Sequence, residues 1–197
     1  MSEGASLRPE VTPRDTACQY DAVLKECRAL FLRKFDDYGA SWRVMRPSAV
    51  TDQILIKAQR IRSIQELGVQ RVEDGIRGEF IGIFNYSLMG MVQLEHGYAD
   101  DSRVDPQLLL SWYDSYAKRA KDLMLDKNHD YGEAWRSMRI SSITDIILQK
   151  IFRTKQIEDH RGEVSVSEGI DANYLDMCNY AAFAIIRIDE GTDPMYY

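Results

Sequence analysis

The sequence predicts an all-α protein in which two tandem three-helix repeats pack as one pseudo-twofold helical bundle. The stretch KFDDYGASWRVMR at 34–46 recurs 93 positions later as KNHDYGEAWRSMR at 127–139, with eight of thirteen residues identical. Agreement this extensive within one chain indicates a tandem duplication. Apolar residues recur at helical spacing, and no alternating run between hairpin turns predicts a strand.

The repeat extends well beyond that block. Equivalent residues lie 93 positions apart as far as Ile64 and Ile157, and 94 apart from there to Gly97 and Gly191. The predicted organisation is a flexible N-terminal segment at 1–17, helical repeat 1 at 18–97, a linker at 98–107, helical repeat 2 at 108–191 and a C-terminal tail at 192–197.

The first helix of repeat 1 is predicted from apolar residues at i, i+3, i+4 and i+7 spacing. They are Tyr20, Val23, Leu24, Cys27, Leu30 and Phe31. Gly39 follows at a position where the helix is expected to stop.

The second helix of repeat 1 is predicted to run through ILIKAQRIRSIQEL, with Ser48 or Thr51 as its N-cap. Its counterpart in repeat 2 starts at Ser141 and ends in IEDH. The third helix, EFIGIFNYSLMGMVQLE, corresponds to NYLDMCNYAAFAIIRIDE and is apolar almost all the way round. A helix of that kind must be buried on most sides, so the two third helices are expected at the centre of the bundle.

Composition limits the classes of function. The net charge of -6 argues against a protein that binds duplex nucleic acid, which normally shows a basic face to phosphates. The three cysteines, Cys18, Cys27 and Cys178, have no metal-type spacing and suggest reduced thiols in a cytoplasmic protein. No stretch approaches the ~20 apolar residues of a membrane span, so no membrane association is expected.

Asp176, Asn179 and Tyr180 share one face of the otherwise apolar third helix of repeat 2. A carboxylate there needs a cation or a metal beside it. One interpretation is a salt bridge from Asp176 to Arg153 or Lys150. The other is a Mg²⁺ site, in which Glu168 and Asp145 join Asp176 as oxygen ligands.

The two repeats differ at these acidic positions. Gly82 stands where repeat 2 has Asp176, and Glu79 stands where repeat 2 has Asn173. Each repeat therefore carries one acid of a Glu-x-x-Asp pair. Either the halves divide the work, with Glu79 as a further metal ligand, or the site of repeat 1 has decayed.

A set of cations and aromatic residues lies in and after the repeated block, and every member of the set has an identical counterpart in the other half. Arginine and lysine suit phosphate oxygens, and aromatic rings near them suit a base or another flat ring. The candidate phosphate ligands are Lys127, Arg136, Arg139, Lys150 and Arg153 with their counterparts Lys34, Arg43, Arg46, Lys57 and Arg60. The candidate stacking residues are Tyr131, Trp135, Tyr38 and Trp42, although aromatic residues at helical spacing are more often core.

Other catalytic arrangements do not occur in the sequence. The three histidines are scattered, and there is no Gly-x-Ser-x-Gly elbow, P-loop or Gly-x-Gly-x-x-Gly. Acids, cations and aromatic residues are the groups that remain for chemistry.

The motifs D-Y-G-x-x-W, T-D-x-I-x-x-K-x-x-R and D-x-x-N-Y resemble the family called nucleotide modification associated domain 1, in its doubled Bacteroidetes form. The third helix of repeat 2 also resembles that of the all-α, MazG-like nucleoside triphosphate pyrophosphatases. This second resemblance implies Mg²⁺-dependent attack of water between the α and β phosphates of a nucleoside or pterin triphosphate. Asp176 and Glu168 would then be catalytic, and Asp176, Glu168, Asp145 and Glu79 would hold the metal.

Two alternatives to a hydrolase stay open at this point. One is a non-catalytic nucleotide-binding module, and the other is a helical bundle whose acids serve only interhelical salt bridges. Gly82 in repeat 1 and the lack of an E-E-x-x-E on the second helix favour the first of these alternatives. The sequence leaves open whether the duplicated chain is a complete monomer or forms a homodimer, although the bundles it resembles usually complete their sites by pairing.

Overall fold

A computed structural model describes residues 15–68, 75–160 and 169–191 of the chain. In these ranges the protein is all-α, as predicted, with no strand. The six helices are α1 (Thr16–Tyr38), α2 (Pro47–Leu67), α3 (Ile76–His96), α4 (Pro106–Tyr131), α5 (Ile140–Asp159) and α6 (Ile170–Glu190). A short 3-10 helix follows α1 at Ser41–Val44, and an equivalent one follows α4 at Ala134–Ser137.

The predicted helix ends are partly right. Gly39 ends α1 with a positive φ of 65°, and Gly132 ends α4 in the left-handed conformation. The predicted caps of the second helices are wrong, because α2 and α5 begin after Arg46 and Arg139, and neither of these residues makes a side-chain cap. Pro47 occupies the first position of α2, where proline is favourable because a backbone N–H at this position would have no partner within the helix.

Ser48, Thr51 and Ser141 therefore lie inside helices rather than at their starts. Thr51 is buried, and its hydroxyl bonds to groups of repeat 2. Helix α4 begins at Pro106, within the stretch assigned to the linker. Residues 1–14 of the predicted flexible segment, and the tail at 192–197, lie outside the described residues.

Helices α3 and α6 form the centre of the bundle, as their apolar composition predicts. They pack most extensively on each other, and each is covered by the second helix of its own repeat. Helices α2 and α5 also pack together, so the two repeats share one continuous core. Cys27 and Cys178 lie in this core, whereas Cys18 is exposed. No helix of the described chain is both long and apolar enough to cross a membrane.

A pair of equivalent hydrogen bonds locks the repeats together at the core. The Tyr20 hydroxyl donates to Asn179 Oδ1 at 2.8 Å, and the Tyr113 hydroxyl donates to Asn85 Oδ1 at 2.7 Å. Each asparagine donates its amide to a carbonyl of the first helix of its own repeat. Asn85 and Asn179 are buried, so these bonds satisfy groups that would otherwise be costly.

Ion pairs at the surface repeat the same symmetry. Arg28 binds Asp114 across the repeats at 2.7 Å, and the equivalent pair joins Lys121 and Asp21 at 2.6 Å. A second equivalent set joins α2 to α5 through Arg62 with Asp145 and Lys155 with Asp52. Exposed pairs contribute little stability each, but their positions confirm the pseudo-twofold arrangement.

Candidate functional site

Two cavities lie at equivalent places in the two repeats. The larger, here called the second-repeat pocket, has a volume of about 410 Å³ and opens between α4, α5 and α6. Each of the twelve residues that line it has its repeat counterpart in the lining of the other cavity, here called the first-repeat pocket, of about 190 Å³. The duplication has therefore preserved a pocket as well as a helical scaffold.

Asp176 lies in the second-repeat pocket between two lysines. Lys127 Nζ lies 2.6 Å from Asp176 Oδ1, and Lys150 Nζ lies 2.6 Å from Oδ2. The Asp176 side chain is 7% exposed and that of Lys150 is 14% exposed. Of the two cations predicted as salt-bridge partners, Lys150 contacts Asp176, whereas Arg153 forms no ion pair with it within the described chain.

The rest of the second-repeat pocket is an aromatic wall. Trp135 and Phe183 stack with centroids 4.2 Å apart and planes 4° apart, and Tyr180 meets Phe183 edge-on. The indole N–H of Trp135 is buried and has no hydrogen-bond partner in the described chain. Tyr131 lines the same cavity but is 72% exposed, so its ring stands at the mouth.

The first-repeat pocket has the same frame and a different charge pattern. Lys57 binds Glu79 at 3.1 Å. Its counterpart Lys150 instead binds Asp176, which lines the second-repeat pocket. Arg60 shares Glu79 with Lys57. The Lys57 stem lies across Gly82, where an added Cβ would stand 2.7 Å from Lys57 Cε.

The predicted metal ligands are not gathered at Asp176 by the described chain. Asp145 is paired with Arg62 and lines a separate cavity toward α2, and Glu79 belongs to the ion pairs of repeat 1. Glu168 lies outside the described residues. Within the described ranges, no three His, Cys, Asp or Glu side chains are grouped to hold a metal ion. Asp145 turns away because α5 directs that face to α2.

Two of the predicted phosphate ligands are committed to the interior of the protein. Arg43 is buried, donates to the Gly97 carbonyl at 2.7 Å and lies against the rings of Trp42 and Trp112. Burial lowers the pKa of this guanidinium. Its counterpart Arg136 lies 4.3 Å from the centroid of the Trp135 ring and donates to Glu190 at 3.0 Å.

The remaining predicted cations divide by position. Lys127 and Lys150 line the second-repeat pocket, and Lys34 and Lys57 line the first-repeat pocket. Arg46, Arg139, Arg60 and Arg153 line neither of these two pockets. All four predicted stacking residues, Tyr38, Trp42, Tyr131 and Trp135, line their pockets, although both tryptophans are also buried in the core.

Several residues of the pocket wall were not predicted from the sequence. Phe183, Met124 and Met138 line the second-repeat pocket. The identity of Met45 and Met138 in the repeated block was a signal that could have found one of them. Phe183 gave no such signal, because its counterpart is Met89.

The fold and the site together define a helical tandem-repeat protein with two equivalent pockets. The family model described as nucleotide modification associated domain 1 matches the chain twice, at residues 34–94 and 127–188. Since these matches span more than half of the chain, the protein belongs to the nucleotide modification associated domain 1 family. Nothing among the curated proteins or the solved structures matches the chain.

Proposed function

We propose that the protein binds a nucleotide in the second-repeat pocket, with the base against the aromatic wall and the phosphate at Lys127 and Lys150. The observation that carries the proposal is one cavity of about 410 Å³ that combines two lysines with Tyr131, Trp135 and Tyr180. This volume lies in the range of roughly 300–1,000 Å³ typical of pockets for small ligands.

The aromatic residues supply the surface for a base. Stacking on an aromatic ring is worth about 1–3 kcal/mol per base and suits any base, because every base has a π face. Tyr131 offers a free ring at the mouth, and the unpartnered indole N–H of Trp135 is a donor in the wall of the described pocket. Burial raises the pKa of Tyr180, so its hydroxyl stays protonated at neutral pH.

The charges of the pocket favour an anionic group. Its lining carries two ammonium groups and one carboxylate, which leaves an excess of one positive charge. Both ammonium groups lie in the wall of this cavity, and Asp176 holds each of them there at 2.6 Å. Asp176 is thus proposed to position the lysines.

Retention of the exposed tyrosine in both repeats supports a ligand. Tyr38 and Tyr131 are 55% and 72% exposed, and neither hydroxyl has a hydrogen-bond partner in the described chain. Both stand at the mouth of a pocket. Packing does not require a ring at either place, whereas contact with a bound base would.

Mg²⁺-dependent hydrolysis of a nucleoside triphosphate is the second candidate, favoured by a buried carboxylate inside the same pocket. In the described chain both oxygens of Asp176 face ammonium groups, and positive charge disfavours a divalent cation there. In this candidate Asp176 would hold the metal, which would supply an activated water for attack on the triphosphate. Hydrolysis thus requires a property of the site that nucleotide binding does not, namely affinity for Mg²⁺.

Isothermal titration of the full chain with ATP, AMP and adenosine, each with and without Mg²⁺, tests the proposal. We expect AMP to bind without metal and adenosine to bind more weakly. Tyr131→Ala should weaken AMP binding by about tenfold or more, the size of one lost stacking contact. Tyr98→Ala is the matched control, because Tyr98 is also exposed and lies outside both pockets.

The outcomes separate the functions. Release of pyrophosphate only with Mg²⁺, and its loss in Asp176→Asn, would establish the hydrolase. AMP binding without turnover would support a binding module. No binding of any nucleotide, or equal effects of the Tyr131 and Tyr98 substitutions, would contradict the proposal and favour the purely structural bundle.

A further inference from the structure

The first-repeat pocket differs from its counterpart in the chemistry of its free polar groups. It is lined by Lys34, Lys57 and the hydroxyls of Tyr38, Ser41 and Tyr86, and by no carboxylate of the described chain. In the second-repeat pocket, Ala134 replaces Ser41 and Asp176 replaces Gly82. The second-repeat pocket therefore contains a carboxylate, whereas the polar groups of the first-repeat pocket are ammonium groups, hydroxyls and one amide.

These donors are open to a ligand. Lys34 is exposed and forms no ion pair or hydrogen bond with the described residues. Lys57 gives one N–H to Glu79, and its ammonium lies 5.9 Å from the centroid of the Tyr86 ring, inside the pocket. An ammonium group has three N–H donors, so two remain.

The Tyr86 hydroxyl adds a further donor. It is half-buried and has no hydrogen-bond partner in the described chain. Burial raises its pKa, which keeps the proton on the oxygen at neutral pH. Asn85, which also lines the wall, donates its amide to the Cys27 carbonyl and accepts from the Tyr113 hydroxyl.

We propose that the first-repeat pocket is a separate anion site that takes a compact phosphate-type ligand through Lys34, Lys57 and Tyr86. Two ammonium groups without a carboxylate give its described lining two positive charges, against one in the second-repeat pocket. Charge-assisted hydrogen bonds to phosphate oxygens are the strongest that such groups make. The volume of about 190 Å³ is less than half that of the other pocket and favours a compact anion over a nucleotide.

Gly82 is the residue that makes the charge of the first-repeat pocket differ from that of the second-repeat pocket. Because position 82 has no side chain, the Lys57 stem occupies the space that the carboxylate fills in repeat 2. Installing the acid of repeat 2 by Gly82→Asp would place a negative charge where the ligand binds. Gly82→Asn adds nearly the same bulk without the charge.

The test is titration of the full chain with inorganic phosphate, and then with diphosphate, at an ionic strength of about 0.15 M, where loose surface attraction is screened. We expect Lys34→Gln to raise the Kd at least about tenfold, as for the loss of a hydrogen bond to a charged group. Lys25→Gln is the matched control and should leave the Kd unchanged, because Lys25 is an exposed lysine of the same helix outside the pocket.

The glycine variants give a second, independent readout. Binding should be weaker in Gly82→Asp than in Gly82→Asn, after circular dichroism has shown that both fold. AMP binding should be unchanged in Lys34→Gln, which separates this site from the nucleotide site. The inference is overturned if phosphate gives no saturable signal, if Lys34→Gln and Lys25→Gln act alike, or if the two Gly82 variants bind phosphate equally.

Discussion

The two pockets share every lining position of the larger one, yet the acid that binds the lysine of the second helix stands one helical turn apart in the two repeats. In repeat 1 the acid is Glu79, in the first turn of α3, and in repeat 2 it is Asp176, one turn further along α6. The shift decides where the lysine of the second helix binds. Lys57 is held at the helix start by Glu79, and Lys150 is held inside the pocket by Asp176.

The comparison shows which parts of a duplicated site are free to diverge. The tyrosine–asparagine bonds are alike in both halves, and so are the ion pairs Arg28–Asp114 and Lys121–Asp21, because each of these contacts joins the repeats to each other. Glu79 and Asp176, in contrast, form ion pairs only with cations of their own repeat within the described ranges, so their positions can change. A single relocated carboxylate gives two pockets of one origin different charges.

Asp176→Ala is expected to lower the free energy of unfolding more than any other substitution considered below. Removing this carboxylate breaks two ion pairs of a side chain that is 7% exposed, and a broken buried pair costs about 3–5 kcal/mol. Urea unfolding measures the loss. Glu79→Ala should cost less, because Lys57 and Arg60 are 26% and 28% exposed and remain closer to water. An equal or larger loss in Glu79→Ala would contradict this ranking.

An intermediate effect is expected from Gly90→Ala at the contact between the central helices. A Cβ at Gly90 would lie 2.6 Å from the ring of Tyr174, and overpacking of this kind costs about 1–3 kcal/mol. Gly78→Ala is the control in the same helix, since a Cβ there meets nothing within 4 Å. It should stabilise by up to about 1 kcal/mol through helix propensity. A thermal melt that moves equally in both variants would show that Tyr174 does not fill this space.

The smallest expected effect concerns Glu158, whose counterpart in repeat 1 is Gln65. Glu158 accepts a hydrogen bond from Thr51 at 2.8 Å, and burial raises its pKa above the ordinary value of 4.5. The folded state therefore binds this proton more tightly than the unfolded state. The contribution of Glu158 to stability is greatest below pH 4.5 and falls as the pH rises through the raised pKa.

Glu158→Gln removes that decline. At neutral pH we expect the free energy of unfolding of the variant to equal that of the original chain or to exceed it by less than about 1 kcal/mol. The reason is that the amide oxygen still accepts the hydrogen bond from Thr51. The free energies of unfolding of the two proteins, measured across pH, should diverge in favour of the variant from acid to neutral conditions. Parallel curves would contradict the raised pKa of Glu158.

Most of the scaffold, and part of the site, can be predicted from the amino-acid sequence alone. The helical spacing and the internal repeat predicted six helices and a pseudo-twofold bundle, which the fold confirms. The doubled block drew attention to Lys127, Tyr131 and Trp135, which do meet in one pocket. The same block suggested Arg43 and Arg136 as phosphate ligands, whereas both are enclosed by their own neighbours.

The differences between the predicted and the observed positions have a common physical cause. A helix position tells which residues share a face, but not which neighbouring helix that face meets. Asp145 was therefore grouped with Asp176, although α5 directs it to Arg62 on α2. Thr51 was assigned to a cap because threonine suits caps, whereas its hydroxyl is used by Glu158 and Tyr174 of the other repeat.

The sequence by itself determined the helices, their pairing into repeats and the residues held in common, because periodicity and identity are local properties of the chain. Only the tertiary structure decided that Asp176 lies between two lysines while Lys57 is drawn to Glu79, and that Asn85 and Asn179 lock the halves together. Partners that are far apart in the chain are chosen by packing, since a buried polar group binds whichever complementary group the neighbouring helices bring within reach.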